Sequence, residues 1–385
     1  MPQGSSRSSA PRIAIIGGGV IGLAIGWRLA ATCRVEIFER ERVGRGASWA
    51  AAGMLAAGLE TEPGEERLLA LTQASQLMWP GFAREVEAAS GALIGYRDDG
   101  TIAVALNRDD AERLRFTYEF QRDLGIALDW LSGAQVRARE PHLAGAVAGV
   151  FSASDHAVDN RLLVGALHAA FIRSGGVVHE NAAAAVVVDG GRVRGVAVAE
   201  RLYKADIVIV AAGAWSREID GLPEAARPPV RPIKGQMLAL AMNAGAPLLR
   251  HVVWAPKAYL VPRRDGRLVI GATVEERGFD TGITAGGLLA LLEGAWRAVP
   301  AIEELPVLES WAGLRPGCRD DAPVIGPSTV EGLILATGHH RNGILLAPIT
   351  AAAVAELVLS GRLPEAIRPF GLERFAPAAT ARSVA

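Results

Sequence analysis

Residues 12–22 read RIAIIGGGVIG, and a second short run, VEIF at 35–38, ends at Glu39. The apolar residues 13–16 form a strand and the three glycines a tight turn. Leu23, Ile25, Trp27 and Leu29 among alanines form a helix, and 35–38 a second strand. Strand, turn, helix, strand and carboxylate together are the means of holding a dinucleotide. Gly17 permits the turn, Gly19 lets the backbone approach a pyrophosphate, and Gly22 lets helix and strand pack closely. The N–H groups of Val20 and Ile21 lie at the positive end of the helix, where phosphates bind. Glu39 is placed to accept hydrogen bonds from both ribose hydroxyls, with Arg40 beside it. The motif does not separate a flavin from a nicotinamide nucleotide.

Outward from this unit, small residues recur where a flat ligand needs room. The stretch GASWAAAGML at 46–55 places Ala47, Ser48, Ala51, Gly53 and Met54 after the second strand. Ser48 is expected to cap a short helix over 49–54. A continuously apolar run, IVIV at 207–210, ends in AAGAWS, with Ala212, Gly213 and Trp215 at the strand's C-terminal edge. Open α/β sheets place ligands at that edge. Late in the chain, TGHHRNG at 337–343 runs into an apolar helix expected over 344–359. Helices are also expected over 65–89, kinked or divided at Pro80, and over 161–174, capped by Asp159 or Asn160. Between these features lie short β segments at 236–241, 251–254, 258–262, 267–272 and 305–315, which describe an antiparallel sheet.

The 385 residues are half hydrophobic, enough for two domains. Forty basic against forty-one acidic residues give no basic field for nucleic acid. Cys33 and Cys318 form no disulfide framework and no metal-binding spacing, and the seven histidines are scattered. No apolar stretch is long enough for a membrane span. Residues 1–10 are Ser-rich and polar, lack a signal-like apolar core, and are expected to be a disordered tail. A cytoplasmic homo-oligomer is the expectation. The segments divide into a first domain from 11–80, 145–230 and 311–365, a second from 81–144 and 231–310, and a C-terminal tail at 366–385.

GGGVIG with Glu39, the 46–55 loop, RPIKGQM at 231–237, YLVPRRDGRLVIGATVE at 259–275, WAGLRPG at 311–317 and ATGHHRNGILLAP at 336–348 resemble the FAD-dependent D-amino-acid oxidase family. The resemblance covers roughly residues 11–365 and is strongest to the glycine oxidases of thiamine biosynthesis. It implies an α/β fold: a Rossmann-like FAD-binding domain of glutathione-reductase type, with a second, mainly antiparallel β substrate domain and flanking helices. It implies FAD, with Gly338, His339, Arg341, Asn342, Gly343 and Ile344 near the flavin pyrimidine and Ala183 and Ala184 near the adenine. Arg315 and Tyr259 correspond to the pair that clamps an amino-acid carboxylate. Arg341 is placed on the substrate side of the flavin and Met54 near its ring. Neither His251, His339 nor His340 is needed as a base. The implied reaction is hydride transfer from the Cα of glycine, sarcosine or D-alanine to flavin N5. Oxygen is the acceptor, and the products are an imine or glyoxylate, ammonia and peroxide. A sarcosine or D-amino-acid oxidase or dehydrogenase of the same fold is the alternative. Cys318 does not align with the cysteine that attaches FAD in some relatives, so the flavin is expected to be noncovalent.

Overall fold

The computed structural model describes residues 10–376; of the two expected tails, 1–9 and 377–385 lie outside that range, while 366–376 form short turns with Ile367 and Phe370 buried. Strand β1 (Arg12–Ile16) is buried on four of its five residues. It lies centrally in a six-stranded sheet whose order is Val324–Pro327, Leu333–Thr337, Ile207–Val210, β1, β2 (Arg34–Phe38) and Val177–His179. All neighbours are parallel except the pair Val324–Pro327 and Leu333–Thr337. Such a sheet is covered on both faces, which is why IVIV at 207–210 reads as continuously apolar.

Helix α1 (Val20–Ala30) packs against helices Asn160–Arg173 and Ala347–Ser360 on one face of this sheet. A Cβ on Gly22 would lie 2.0 Å from the carbonyl oxygen of Gly17, and one on Gly17 would lie 2.4 Å from that of Ala211. Gly17 also has a φ of +109°, open to glycine alone at low cost. The turn thus brings β1, α1 and the end of the 207–210 strand into backbone contact.

Strands Val307–Gly317, Arg231–Ala241, Arg267–Gly271, Ala258–Pro262, Val252–Ala255, Thr101–Ala105, Ala148–Ser152 and Asp129–Ser132 form, in that order, an eight-stranded sheet. Its pairs are antiparallel except Val252–Ala255 with Thr101–Ala105. Strands Ala148–Ser152 and Val307–Gly317 hydrogen-bond into this second sheet, although the division read from sequence counts 145–230 and 311–365 with the first domain. A smaller antiparallel sheet, 184–204, flanks the first.

Three local expectations change. Helix α2 (Ala47–Ala50) begins before Ser48, so Ser48 lies inside it and does not cap it. Helix α3 (Glu66–Ser90) runs unbroken through Pro80. Trp79 and Phe82, on either side of that proline, are fully buried edge-to-face at 5.4 Å, and this burial offsets the lost helical bond. The late helix begins at Ala347, with Pro348 in its first turn, where a missing N–H is harmless. Residues 343–346 form a turn ahead of it. Asp159 is the cap of Asn160–Arg173, accepting from the N–H groups of Arg161 and Leu162.

Replacing Gly22 by Ala should cost about 1–3 kcal/mol through overpacking. Gly165→Ala, at an exposed helix position where nothing lies within 4 Å of the added Cβ, should gain about 0.5–1 kcal/mol. Scanning calorimetry should show opposite shifts in unfolding temperature; equal shifts would refute the packing role of Gly22.

Candidate functional site

The first turn of α1 lacks a cap of its own, because its N-cap residue, Gly19, has no side chain. The cap comes from α2: Ser48 Oγ accepts the Val20 N–H at 2.9 Å. The hydroxyl that sequence reading assigned to one helix N-terminus therefore serves another. Glu39 Oε2 accepts the Gly18 N–H at 2.8 Å, and Oε1 accepts the Glu41 N–H at 3.1 Å. These bonds fix the carboxylate at the rim of the glycine turn. The backbone of β2 continues the frame: Gly17 N–H bonds Phe38 O at 2.9 Å and Ala182 N–H bonds Glu39 O at 2.8 Å.

A cavity of about 1650 Å³ runs from this turn to the eight-stranded sheet. Gly17, Gly19, Val20, Ile21, Glu39, Arg40, Ala47, Ser48, Ala51, Gly53, Met54, Ala183, Ala184, Ala212, Gly213 and Trp215 line it. So do Tyr259, Arg315, His339, Arg341, Gly343 and Ile344. Gly22, Gly338 and Asn342 do not. Gly22 is a packing glycine, and Asn342 is buried with its backbone N–H on His339 O.

The turn at 343–346 is pinned from α3. Ser75 Oγ and Trp79 Nε1 both donate to Leu345 O, at 2.6 and 2.9 Å. This fixes Gly343 and Ile344 at the cavity wall. His339 lies against Thr350, with Nε2 3.1 Å from its Oγ1, and burial pushes it down to about 3. Burial likewise lowers His340 to about 4, against the pull of Asp321. Both imidazoles are neutral at physiological pH. His251 bonds Glu140 at 2.6 Å and does not line the cavity.

At the far end, strand pairing sets Arg315 opposite Ile233 and Tyr259 opposite Gly271. A Cβ on Gly235 would meet Arg315 Nη1 at 2.5 Å, and one on Gly271 would meet Tyr259 Oη at 2.5 Å, so both glycines make room for these side chains. Arg315 donates to Thr273 O at 3.1 Å and forms no ion pair among the described residues. Burial raises the Tyr259 phenol above its ordinary value, opposed by the nearby Arg315. Tyr259 therefore remains a neutral donor, and Arg315 keeps an unspent positive charge. An anion with two oxygens suits that pair.

Arg341 is engaged differently. Its guanidinium lies 2.6 Å from Glu65 and 3.3 Å from Glu60, and it also donates to Glu60 O at 3.0 Å. Glu60 itself lines the cavity, and no sequence signal marks it, since its partner is 281 residues away. Trp254, Phe279 and Thr337 are further lining residues that sequence reading missed. Trp254 Nε1 is buried without a partner. Phe279 stacks on Trp215 at 5.6 Å, and the Arg40 guanidinium lies 3.9 Å from the Trp215 ring centroid, so both contact Trp215 and all three side chains border the cavity.

The glycine turn, the fixed carboxylate, the capped helix and the alanine-lined walls fit an FAD. A cavity this long exceeds the needs of a mononucleotide. Among the described residues no cluster of ligating side chains suits a metal, and no helix is long and apolar enough to cross a membrane.

Residues 12–357 match the DAO family, described as FAD dependent oxidoreductase. The chain is 36% identical over 367 residues to the glycine oxidase of Geobacillus kaustophilus, covering 94% of this chain and 96% of that protein. It is 36% identical to the bifunctional protein ThiO/ThiG of Synechocystis sp., of whose length it spans 54%. The crystal structure of glycine oxidase from Geobacillus kaustophilus superposes with a TM-score of 0.87 at 34% identity, over 96% of this chain and all of that one. With this agreement in sequence and architecture, the chain belongs to the DAO family of FAD-dependent oxidoreductases.

Proposed function

We propose that the protein is a glycine oxidase, which converts glycine and similarly small amines to an imine, released as glyoxylate and ammonia, with formation of hydrogen peroxide. The observation that carries this reading is the shared cavity: an unpaired Arg315 and a neutral Tyr259 open into the same space as the dinucleotide cradle. The similarity to named glycine oxidases supports it. The ThiO/ThiG relatives support a place in the supply of imine for thiamine thiazole synthesis.

FAD, when bound, supplies a two-electron acceptor that oxygen can recharge. The chain's own residues do the rest. Gly17 and Gly19, with the Ile21 N–H, would take the pyrophosphate beside the Ser48-capped Val20, Glu39 would take the ribose, and Ala183 and Ala184 would border the adenine. Gly343 and Ile344 would border the pyrimidine, and Met54 would pack beside the ring. Arg315 and Tyr259 hold the substrate carboxylate, which fixes where the Cα–H points. The small residues of the 46–55 loop leave room along the cavity wall for a flat cofactor. Self-association fits the exposed Val274, Leu289, Val307 and Leu308 side chains, and a cytoplasmic setting fits the two unpaired cysteines.

Purified protein should be yellow and should generate peroxide with glycine; reduction of a dye by glycine without peroxide would mark a dehydrogenase instead. Arg315→Ala removes a charge-assisted bond worth about 1.5–3 kcal/mol, so KM should rise roughly 10- to 150-fold while FAD stays bound. Loss of FAD with an unchanged KM would overturn the assignment. Cys318 is fully buried among Val324 and Leu335, outside the cavity, with its thiol raised by burial. Acid precipitation should therefore release all of the flavin into the supernatant; colour retained on the pellet would disprove noncovalent binding.

A further inference from the structure

A substrate with a carboxylate at one end and an ammonium at the other presents two charges. Arg315 and Tyr259 answer the first. Among the acidic side chains that line the cavity, Glu60 lies close enough to Tyr259 to act on its phenol, and its charge is not fully engaged. Its neighbours come from four elements. Arg341 comes from the short turn His340–Asn342, Glu65 from the residue capping α3, Asp155 from the loop before His156–Ala157, and Tyr259 from strand Ala258–Pro262.

Arg341 divides unequally between its partners. Its Nη2 meets both oxygens of Glu65, at 2.6 and 2.7 Å, while Glu60 Oε2 receives only Nε at 3.3 Å. Glu60 Oε1 has no hydrogen-bond partner among the described residues, and the side chain borders the cavity. Asp155 is satisfied by the N–H groups of Gly58 and Leu59, at 2.9 and 2.8 Å, so it holds the Glu60 loop in place. Four carboxyl groups, Glu60, Glu62, Glu65 and Asp155, stand against one guanidinium here, which leaves the pocket short of positive charge. Histidine is not an alternative, because burial makes His339 and His340 weak bases, at about 3 and about 4, and His251 does not line the cavity.

We propose that Glu60 is the residue that receives the substrate's amino group, binding the ammonium and accepting one of its protons, so that a neutral amine faces the cofactor. The inference rests on the reading of the cavity as a site of amine oxidation. In this step one N–H bond breaks and one O–H bond forms on Glu60, with no change of oxidation state. The proton returns to water after the product leaves. Neutralising the amine restores the nitrogen lone pair, which stabilises the positive charge that develops at Cα as its hydrogen departs with the electron pair.

Burial pushes the Glu60 carboxyl up to about 7, against the opposing pull of Arg341, with Asp155 and Glu65 adding to the rise. The free enzyme therefore passes from neutral to ionised Glu60 as pH rises through about 7. For glycine, kcat/KM should climb across that range. Glycolate, which offers the carboxylate without the ammonium, should bind the unmodified holoenzyme more weakly over the same range, because an ionised Glu60 repels it. Its binding is followed by the perturbation of flavin absorbance. Glu60→Gln should remove both trends and lower kcat/KM for glycine by about 100-fold at pH 8, with glycolate affinity at pH 6 within about threefold of the parent. Glu65→Gln loosens the same Arg341 and should leave both pH trends in place. The parallel loss of glycine and glycolate affinity in Glu60→Gln, or a kcat/KM profile that keeps its rise, would overturn the proposal. Where Glu60→Gln does not fold, the opposite trends of glycine and glycolate in the unmodified holoenzyme carry the test; trends of the same sign defeat it. Failure of the unmodified protein to oxidise any amine would instead refute the broader reading of the site.

Discussion

The close approach of three backbones at Gly17 governs the molecule. Strand β1, the first turn of α1 and the end of strand Ile207–Val210 meet with no side chain between them, and a single added carbon at Gly17 or Gly22 would collide with a carbonyl oxygen. That contact sets the angle at which α1 leaves the sheet. The angle in turn sets the first turn of α1 against the cavity, which Val20 and Ile21 line. Because the turn has no side chain of its own, its cap must arrive from elsewhere. Ser48 supplies it, and so the loop after β2 is drawn across the mouth of the glycine turn. Close packing at one point thus places both walls of the nucleotide end.

A second constraint follows from the first. The residues that must lie near a flat ligand are small, and small residues contribute little hydrophobic burial. The 46–55 loop is consequently fixed by polar contacts that reach across from the second sheet. Arg263 is almost wholly buried and donates to Ala52 O and Val158 O, both at 2.6 Å, and to Asn160 Oδ1 at 2.9 Å. Asn160 then donates to the carbonyls of Ser48 and Trp49. Arg161 lies over the rings of Trp49 and Trp311, at 3.8 and 4.7 Å, and pairs with Glu309. Trp311 returns a bond to Ala50 O at 3.0 Å. The loop is therefore held by groups whose burial is costly, and part of that cost is uncompensated, since Arg263 Nε and Arg161 Nη2 are buried without a hydrogen-bond partner among the described residues. These bonds link the eight-stranded sheet to the 46–55 loop more specifically than apolar packing would.

What the sequence discloses follows from how locally each feature is determined. The opening turn, the buried 207–210 strand and the Asp159 cap each depend on residues within one or two turns of chain, and their periodicity and residue types mark them. Ser48 shows the limit: a hydroxyl near a helix start signals a cap, but not which helix. The sheet membership of Ala148–Ser152 and Val307–Gly317 depends on partners distant in the chain, to which alternation of apolar residues is blind. Arg315 and Tyr259 stand out only through a resemblance of whole motifs. Glu60 carries no signal, since what distinguishes it is the company of Arg341, Glu65 and Asp155 in three dimensions.

The two cavity arginines show why such company decides chemistry. Arg315 and Arg341 are the same residue type, both line one space, and both stand in segments rich in glycine. Arg341 is compensated by two carboxylates, so an incoming anion would meet no net positive charge there. Arg315 donates only to backbone carbonyls among the described residues, Thr273 O at 3.1 Å and Lys234 O at 3.5 Å, while acidic residues of the adjoining segment are taken up otherwise. Glu275 accepts from Thr273 and Gln236, and Asp280 from the fully buried Lys234, at 2.6, 2.7 and 3.1 Å. Lys234 and Gln236 lie on the strand paired with the one that bears Arg315. They draw the acidic 275–280 segment onto themselves and leave the arginine's charge unspent. In this arrangement the positive charge available to a substrate depends less on where arginine occurs than on how completely its neighbours satisfy the carboxylates that would otherwise neutralise it.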